Sequence, residues 1–367
     1  VPAKLSQATQ RVLALDLLRG YFLFVIIIDH LQRFPDLFDL MTGRGFLWVS
    51  AAEGFFFLSG LVVMMVRQRD YDRGGFKAVL KKCWSRAFTL YIWSVLLTMI
   101  FTYIAFAVGE THPGIKSGLI GHDSFLEILR DAALFRYTYG WADFLPHYVI
   151  FLLGAPFVLW LIRKKLTPAV ILVSLLLWRY GSTFEAHWQI LFYGGMIGAH
   201  YLPAIERWVR TWKPATRRAA GVLIVSSAFV IMFISSLVVR QRPIFEKLGI
   251  PIASQLNSYN YLLAPWFSKF ELPWPRLLLF GLWFSALYIV FRKFEPQIMR
   301  WLGWFFLPYG QNSLYIYIVH SMVLFAIGLL IPFATTALVV NLLISLAVLG
   351  LIWFFAKRRL GMGIIPR

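Results

Sequence analysis

Residues 17–34 read LLRGYFLFVIIIDHLQRF. The run from Tyr21 to Ile28 suits a membrane core, yet Arg19 precedes it and Asp29 and His30 close it. An ionised Arg or Asp at a bilayer centre costs about 2.5–3.5 kcal/mol even on the lenient insertion scale. Arg19 and His30 are eleven residues apart. That is about three helical turns and roughly 16 Å along the axis, so both side chains share one face. Asp16, three positions before Arg19, can pair with it and lower the cost of burying the charge. This face therefore looks toward protein or water, not lipid; the alternative is that Arg19 snorkels or braces the bundle and His30 sits at the interface.

The rest of the chain agrees. Its 367 residues are 59% hydrophobic, 18% aromatic and only 14% charged, with mean hydropathy +0.69. A soluble domain carries about a quarter charged residues. The short alternating segments of a β-barrel are absent. The expected fold is an all-α polytopic membrane protein, one transmembrane domain over 1–367. Spans are expected near 12–32, 46–66, 86–108, 144–163, 168–180, 187–203, 217–239, 273–292, 312–332 and 335–356. The fifth, PAVILVSLLLWRY, is short for a full crossing. The first apolar run lacks a small-residue cleavage site and is expected to stay with the chain. The single cysteine, Cys83, excludes an intrachain disulfide and a multi-cysteine metal site.

The net charge of +19 does not point to nucleic acid, because the cations gather in alternate loops. The loop after the second span reads RQRDYDRGGFKAVLKKCWSR, a later one ERWVRTWKPATRR, and KRR stands near the end. The positive-inside rule makes that side cytoplasmic, with both termini inside. Arg19 then lies in the inner half of the first span and His30 near its outer end. The outer loops 109–143 and 240–272 are longer and rich in aromatics. FLEILRDAALF in the first has the spacing of a short amphipathic helix on the membrane face. PQIMRWLGWFFLPYGQ is expected as an interfacial helix on the inner side, with Trp301 and Trp304 at headgroup level. No internal repeat is evident.

Further polar residues fall inside the spans. Glu53, in SAAEGFFFLSG, lies about 10 Å deep from the outer end of the second span. It is either a structural hydrogen-bond partner or the group that orients a histidine at similar depth. Gly54 and Gly60 permit close helix approach. In YGQNSLYIYIVHSMV, Tyr309, Ser313 and His320 fall at spacings of four and seven on one helical face. His320 is then either a satisfied core histidine or part of a polar channel. In RYTYGWADFLPHY, Asp143 and His147 accompany Tyr137, Tyr139 and Trp141. That group is either an interfacial aromatic belt or a platform on which sugar rings stack. No phosphate-binding glycine loop, His-Glu-x-x-His zinc helix or complete nucleophile elbow is present. The seven histidines show no metal-ligand spacing.

Together these segments carry a resemblance. RVLALDLLRGYFLFVIIIDH followed by SAAEGFFFLSG resembles the OpgC family, within the wider group of membrane acyltransferases that includes the acyltransferase-3 proteins. The group's arginine, ten residues, histidine signature is met by Arg19 and His30. ADFLPHYVIFLLGAP is similar to the family's Asp-x-x-Pro-x-Tyr segment, HWQILFYGGMIGAH to its Trp-Gln segment, and GQNSLYIYIVH to its late Ser-Leu and histidine segment. The matches run in order over about residues 11–320. The sequence departs from the pattern at His147, where an apolar residue is expected after Pro146.

The resemblance implies acyl transfer from a cytoplasmic acyl-CoA, succinyl-CoA or acetyl-CoA, to a hydroxyl of an extracytoplasmic glycan, with His30 at the reaction centre. Succinylation of periplasmic glucans is the named example, in a bacterial cytoplasmic membrane. His30 is the expected general base, with Glu53 or Asp29 orienting it. Glu53 is favoured because Asp29 points about 100° away on the same helix. A covalent acyl-histidine is the competing route. Arg19, Tyr309, Ser313 and His320 are expected along the donor's path. Some of Arg67, Arg69, Arg73, Lys77, Lys81, Lys82 and Arg86 are expected at its nucleotide end, the alternative being that the cluster is only a topological marker. Asp143, His147, Tyr137, Tyr139, Trp141, Trp188 and Gln189 are assigned to the acceptor. The expected partners are acyl-CoA, the glycan or glycolipid acceptor and membrane lipid, with no metal and no nucleic acid, and a homodimer left open. A secondary transporter or glycolipid flippase is the rival class, since it too needs buried Arg, Glu and His along a pathway.

Overall fold

The computed structural model of the chain describes residues 7–45, 47–109, 112, 115, 124–240, 252–331 and 337–365. Most of the turn-rich stretch 112–124 and the start of the loop 240–272 lie outside the described residues. The described helices are α1 Gln7–Leu31, α2 Asp39–Thr42, α3 Ala51–Val108, α4 Phe125–Ala133, α5 Phe144–Arg163, α6 Thr167–Tyr180 and α7 Phe184–Thr211. They continue with α8 Pro214–Arg240, α9 Ile252–Leu263, α10 Trp274–Lys293, α11 Glu295–Gln311, α12 Ser313–Leu330 and α13 Leu338–Arg358. Tight turns at Gly43–Gly45, Gly140–Ala142 and Ala264–Phe267 join some of them, and there is no strand among the described residues.

Each expected span falls on a helix. By length and composition, six stretches of the described residues are apolar enough to cross a membrane: Ala51–Val108, Gly140–Arg163, Pro214–Val239, Trp274–Lys293, Ser313–Leu330 and Leu338–Arg358. α3 contains two of the expected spans. Its 58 residues would be about 87 Å as one rod, nearly three times a hydrocarbon core. It is broken at Gly75, whose φ of 67° and ψ of −163° belong to a region essentially reserved for glycine. The basic segment expected as a loop is thus helical on both sides of that break. α1 has span length, but Asp16, Arg19 and Asp29 lower its hydropathy. α6, with 14 residues, is about 21 Å long and shorter than a bilayer core.

Local chemistry explains the starts. The Ser124 hydroxyl accepts from the Glu127 N–H at 3.3 Å and opens the expected amphipathic helix α4. Thr183 does the same for α7, accepting from the Ala186 N–H at 3.2 Å. Proline stands in the first turn of α10, where its missing N–H costs nothing. On α8 the side chains of Val222, Leu223, Phe229 and Val230 point outward. Such an apolar exterior is that of a helix solvated by lipid.

The chain forms two compact units, Val1–Asp29 with Phe38–Val62 and Ser174–Gln311, and His30–Leu37 with Val63–Val173 and Asn312–Arg367. The first is built on backbone-to-backbone approaches. A methyl group on Gly60 would sit 1.8 Å from the Phe192 carbonyl oxygen, and one on Gly195 would sit 2.0 Å from that of Phe57. α3 and α7 therefore touch through main chain. α1 and α11 do likewise: a methyl on Gly20 would lie 2.1 Å from the Phe306 carbonyl oxygen, and one on Gly310 would lie 1.8 Å from that of Asp16. Gly54 accommodates the ring of Phe22, so both glycines singled out in the second span serve close packing.

In the second unit the later part of α3 meets α12 through Phe101 and Phe325, stacked at 4.5 Å. It meets α5 through the Trp84 indole, which donates to the Leu153 carbonyl at 3.2 Å. Arg33, almost fully buried, donates to the carbonyl of Ile331 at the end of α12. Asn341 on α13 donates to the Pro35 carbonyl at 3.0 Å.

Two adjacent glycines of α7 give a test. Gly195 is in main-chain contact, whereas nothing lies within 4 Å of a methyl on Gly194. Gly195→Ala is expected to destabilise by about 1–3 kcal/mol through overpacking. Gly194→Ala is expected to stabilise by about 0.5–1 kcal/mol by restricting the unfolded chain. Unfolding temperatures of the two variants in detergent, against the parent, check the opposite signs.

Candidate active site

His30 sits in the last turn of α1, where the final carbonyls have no helical partner. The Trp141 indole supplies one, donating to the His30 carbonyl at 3.3 Å. Trp141 is in turn fastened to α12, because the Ser321 hydroxyl donates to its carbonyl at 2.7 Å. The turn Gly140–Ala142 thus ties the end of α1 to α12. Across this junction His30 Nδ1 lies 3.2 Å from Nε2 of His320. The two rings are 5.4 Å apart and tilted by 31°. His320 is fully buried, and its Nδ1 donates to the Tyr317 carbonyl one turn back. The Tyr317 ring packs edge-on against it at 4.6 Å, and its hydroxyl donates to Asp143 at 3.1 Å. His30, His320 and Asp143, expected in three different roles, belong to one connected network.

The aromatic platform expected at 137–141 is closed, because its rings are covered by protein. Tyr139 and Trp141 are 2% and 1% exposed, packed with Phe101 and Phe325. A sugar stacks on an open ring face, and these offer none. Tyr137 is half-buried, with its hydroxyl 3.0 Å from that of Thr102; burial raises its pKa above the ordinary phenol value. Asp143 is exposed and His147 half-buried at the start of α5.

Tyr309 lies on a different helix from Ser313 and His320. Asn312, with φ of −119° and ψ of 37°, ends α11 and starts α12 afresh, which breaks the spacing of four and seven. Ser313 and His320 remain on one helix. Tyr309 is fully buried on α11, beside Phe305.

In the first unit Glu53 is wholly buried and fully engaged. Ser50 precedes α3 and Glu53 is its third residue, so its carboxylate reaches back to the Ser50 N–H at 3.1 Å and to the Ser50 hydroxyl. The bond from the Ser50 N–H is the glutamate half of a helix-capping box. Arg276 donates from Nε to the other oxygen at 2.6 Å, and from Nη1 to the Phe267 carbonyl at 2.7 Å. Glu53 is thus brought to Arg276 and His30 to His320. Trp188 and Gln189 are also buried ties. The Trp188 indole donates to the Lys269 carbonyl at 3.0 Å, and the Gln189 amide donates to the Ser174 carbonyl at 2.8 Å. Asp29 stands beside Gly45, where an added methyl would come within 3.3 Å of its carboxylate.

Arg19 pairs with Asp16 at 3.7 Å, one turn back, and Asp16 also bonds the side chain of Gln311. The expected nucleotide-binding cations divide into two sets. Asp70 is bound by Arg67 at 2.7 Å and by Lys82. Arg69, Arg73, Lys77 and Lys81 are exposed on either side of Gly75, and Arg86 is half-buried.

Sequence reading missed Arg276. It left a signal: in PWPRLLLFGLWF it is a cation at the end of a span expected to lie outside, where the positive-inside rule gives it no topological purpose. A buried pair that loses one member keeps an uncompensated charge. Arg276→Met is therefore expected to destabilise by about 3–5 kcal/mol, and Glu53→Met with Arg276→Met to regain most of the loss. Unfolding temperature and size-exclusion profile of the single and double variants read the difference.

Comparison with known proteins identifies the family. The family model described as OpgC protein matches residues 11–360, nearly the whole chain. Searches of curated proteins and of solved structures each found no match. The match takes in both histidines, the buried Glu53–Arg276 pair and the apolar helices that make this a membrane protein. The chain belongs to the OpgC family, whose membership implies an OpgC-type membrane acyltransferase acting in glucan modification.

Proposed function

We propose that the protein moves a small acyl group, succinyl or acetyl, from acyl-CoA to a hydroxyl of an extracytoplasmic glucan, with His30 as general base. The observation that carries this reading is the His30–His320 pair at the end of the first long helix. An imidazole titrates near neutrality and is the commonest general base. A second, buried imidazole beside it is a costly feature to keep in an apolar bundle unless it serves the first.

The chemistry balances on one ring. The acceptor hydroxyl gives its proton to His30 as its oxygen attacks the thioester carbonyl. The tetrahedral intermediate collapses, the C–S bond breaks, and the departing thiolate takes the proton from His30. The products are an ester and free CoA, and His30 returns to its starting form. The donor's pool is cytoplasmic and the acceptor is outside. Arg19 stands roughly 16 Å from His30 along α1, toward the proposed inner side, and is read as meeting polar atoms of the CoA arm. Arg69, Arg73, Lys77, Lys81 and Arg86 are read as meeting its phosphates. The ten-span topology with both termini inside and the location in a bacterial cytoplasmic membrane belong to the same proposal.

His30→Ala is expected to lower turnover by about 10²–10⁴, the usual worth of a positioned base. Release of free CoA from succinyl-CoA or acetyl-CoA, with glucan oligosaccharides and purified protein in detergent, measures it. Donor affinity by calorimetry should be unchanged. Near-parental turnover removes His30 from the chemistry. Absence of any CoA release by the parent with either donor favours a transporter, which does nothing without two compartments.

Arg19 separates bracing from binding. Replacing Asp16 and Arg19 together with apolar residues of similar volume removes a whole pair, a change often neutral for stability. The double variant is expected to fold yet bind acyl-CoA more weakly by about 1–3 kcal/mol, the scale of charge-assisted hydrogen bonds. Unchanged affinity by calorimetry makes the pair structural.

A further inference from the structure

We infer that His320 is a positioning residue that fixes the tautomer of His30 and presents its Nε2 as the basic nitrogen. This deepens the proposed function and rests on His30 being the base. His320 Nδ1 faces the backbone carbonyl of Tyr317, which can only accept, so that nitrogen carries the hydrogen. In the neutral ring the other nitrogen, Nε2, is then an acceptor. It lies 3.2 Å from Nδ1 of His30, which must therefore be the donor. A neutral His30 that holds its hydrogen on Nδ1 has its lone pair on Nε2. One backbone carbonyl on α12 thus sets, through two rings, which nitrogen of His30 takes the proton.

The geometry supports the assignment in three ways. His320 is fully buried, so no water competes for its nitrogens. Its ring is held edge-on by Tyr317 at 4.6 Å, which limits a flip that would exchange the two nitrogens. Tyr317 is itself anchored, since its hydroxyl donates to Asp143 at 3.1 Å and accepts from the Phe144 N–H at 3.3 Å. When His30 takes the acceptor's proton on Nε2, its Nδ1–H becomes a stronger donor to His320, and that bond shortens the climb to the charged state. No proton passes to His320 at any stage. The pattern is that of a base oriented by a third group, with a neutral imidazole where a carboxylate is often found.

The test uses the full chain in detergent with succinyl-CoA or acetyl-CoA and glucan oligosaccharides. His320→Leu keeps much of the volume but offers no acceptor. His320→Gln places a carbonyl oxygen within reach of the His30 Nδ1–H. Turnover is expected to fall at least a hundredfold in His320→Leu and to recover at least tenfold over that in His320→Gln, with KM for the donor and the unfolding temperature near the parent. A packing role would not distinguish the two variants in this way. Equal turnover of both overturns the inference. Independently, ¹⁵N NMR of histidine-labelled protein, with His30 assigned by loss of its signal in His30→Ala, reads the tautomer directly. Hydrogen on Nδ1 of His30 in the parent is expected, and hydrogen on Nε2 overturns the inference whatever the variants do. An inactive His30→Ala alongside a fully active His320→Leu refutes only this inference. An active His30→Ala refutes the reading it rests on.

Discussion

A polar group in an apolar bundle must find its partner within the protein. Water is absent from the hydrocarbon, and an unmet donor or acceptor there costs several kcal/mol. That demand organises both units. In one, the buried Glu53 gathers Ser50 and Arg276, and Arg276 in turn holds the carbonyl of Phe267. The capping of α3, the seating of α10 and the path of the turn Ala264–Phe267 all follow from a single carboxylate. In the other, His320 satisfies one nitrogen on its own helix and the second on His30. Asp143, Tyr317, Trp141 and Ser321 complete the network around them. The chemistry and the packing draw on the same bonds.

Two kinds of close contact let these networks form. Aromatic rings fill most of the space, as with Phe101 on Phe325. Glycines remove it altogether, bringing α3 onto α7 and α1 onto α11 through main chain. Backbone contact fixes helix spacing with little freedom, because no rotamer is available to absorb a shift. The Asp16–Arg19 pair sits at such a crossing, with Gln311 next to the glycine that makes it. Its geometry is therefore set by the approach of two backbones as much as by charge.

Hydropathy made the helices legible. The span expected at 144–163 is α5, Phe144–Arg163, and the short fifth span is the 14-residue α6. Arg19, His30, Glu53 and His320 stood out because ionisable residues are conspicuous in apolar runs. The pairing of those residues was not legible. His30 and His320 are 290 positions apart, and spacing says nothing about which span packs on which. Depth alone suggested Glu53 for His30, whereas its own helix start and Arg276 occupy it. The spacing from Tyr309 to Ser313 defines no face, because a spacing rule holds only while a helix continues, and Asn312 interrupts it. Composition also hid the length of α3. RQRDYDRGGFKAVLKK reads as a charged loop, yet Arg67 and Asp70 make a one-turn pair inside a helix.

Gly75 has a consequence of another kind. Nothing lies within 4 Å of where its side chain would be, and no bond described above depends on it. Its torsion angles alone exclude other residues, because it must turn one long rod into two. In a saturation scan the position would tolerate as little as a reacting group does, while a map of neighbours would rank it among the least important. A residue can thus be indispensable for the direction in which it sends the chain, with no share in any contact.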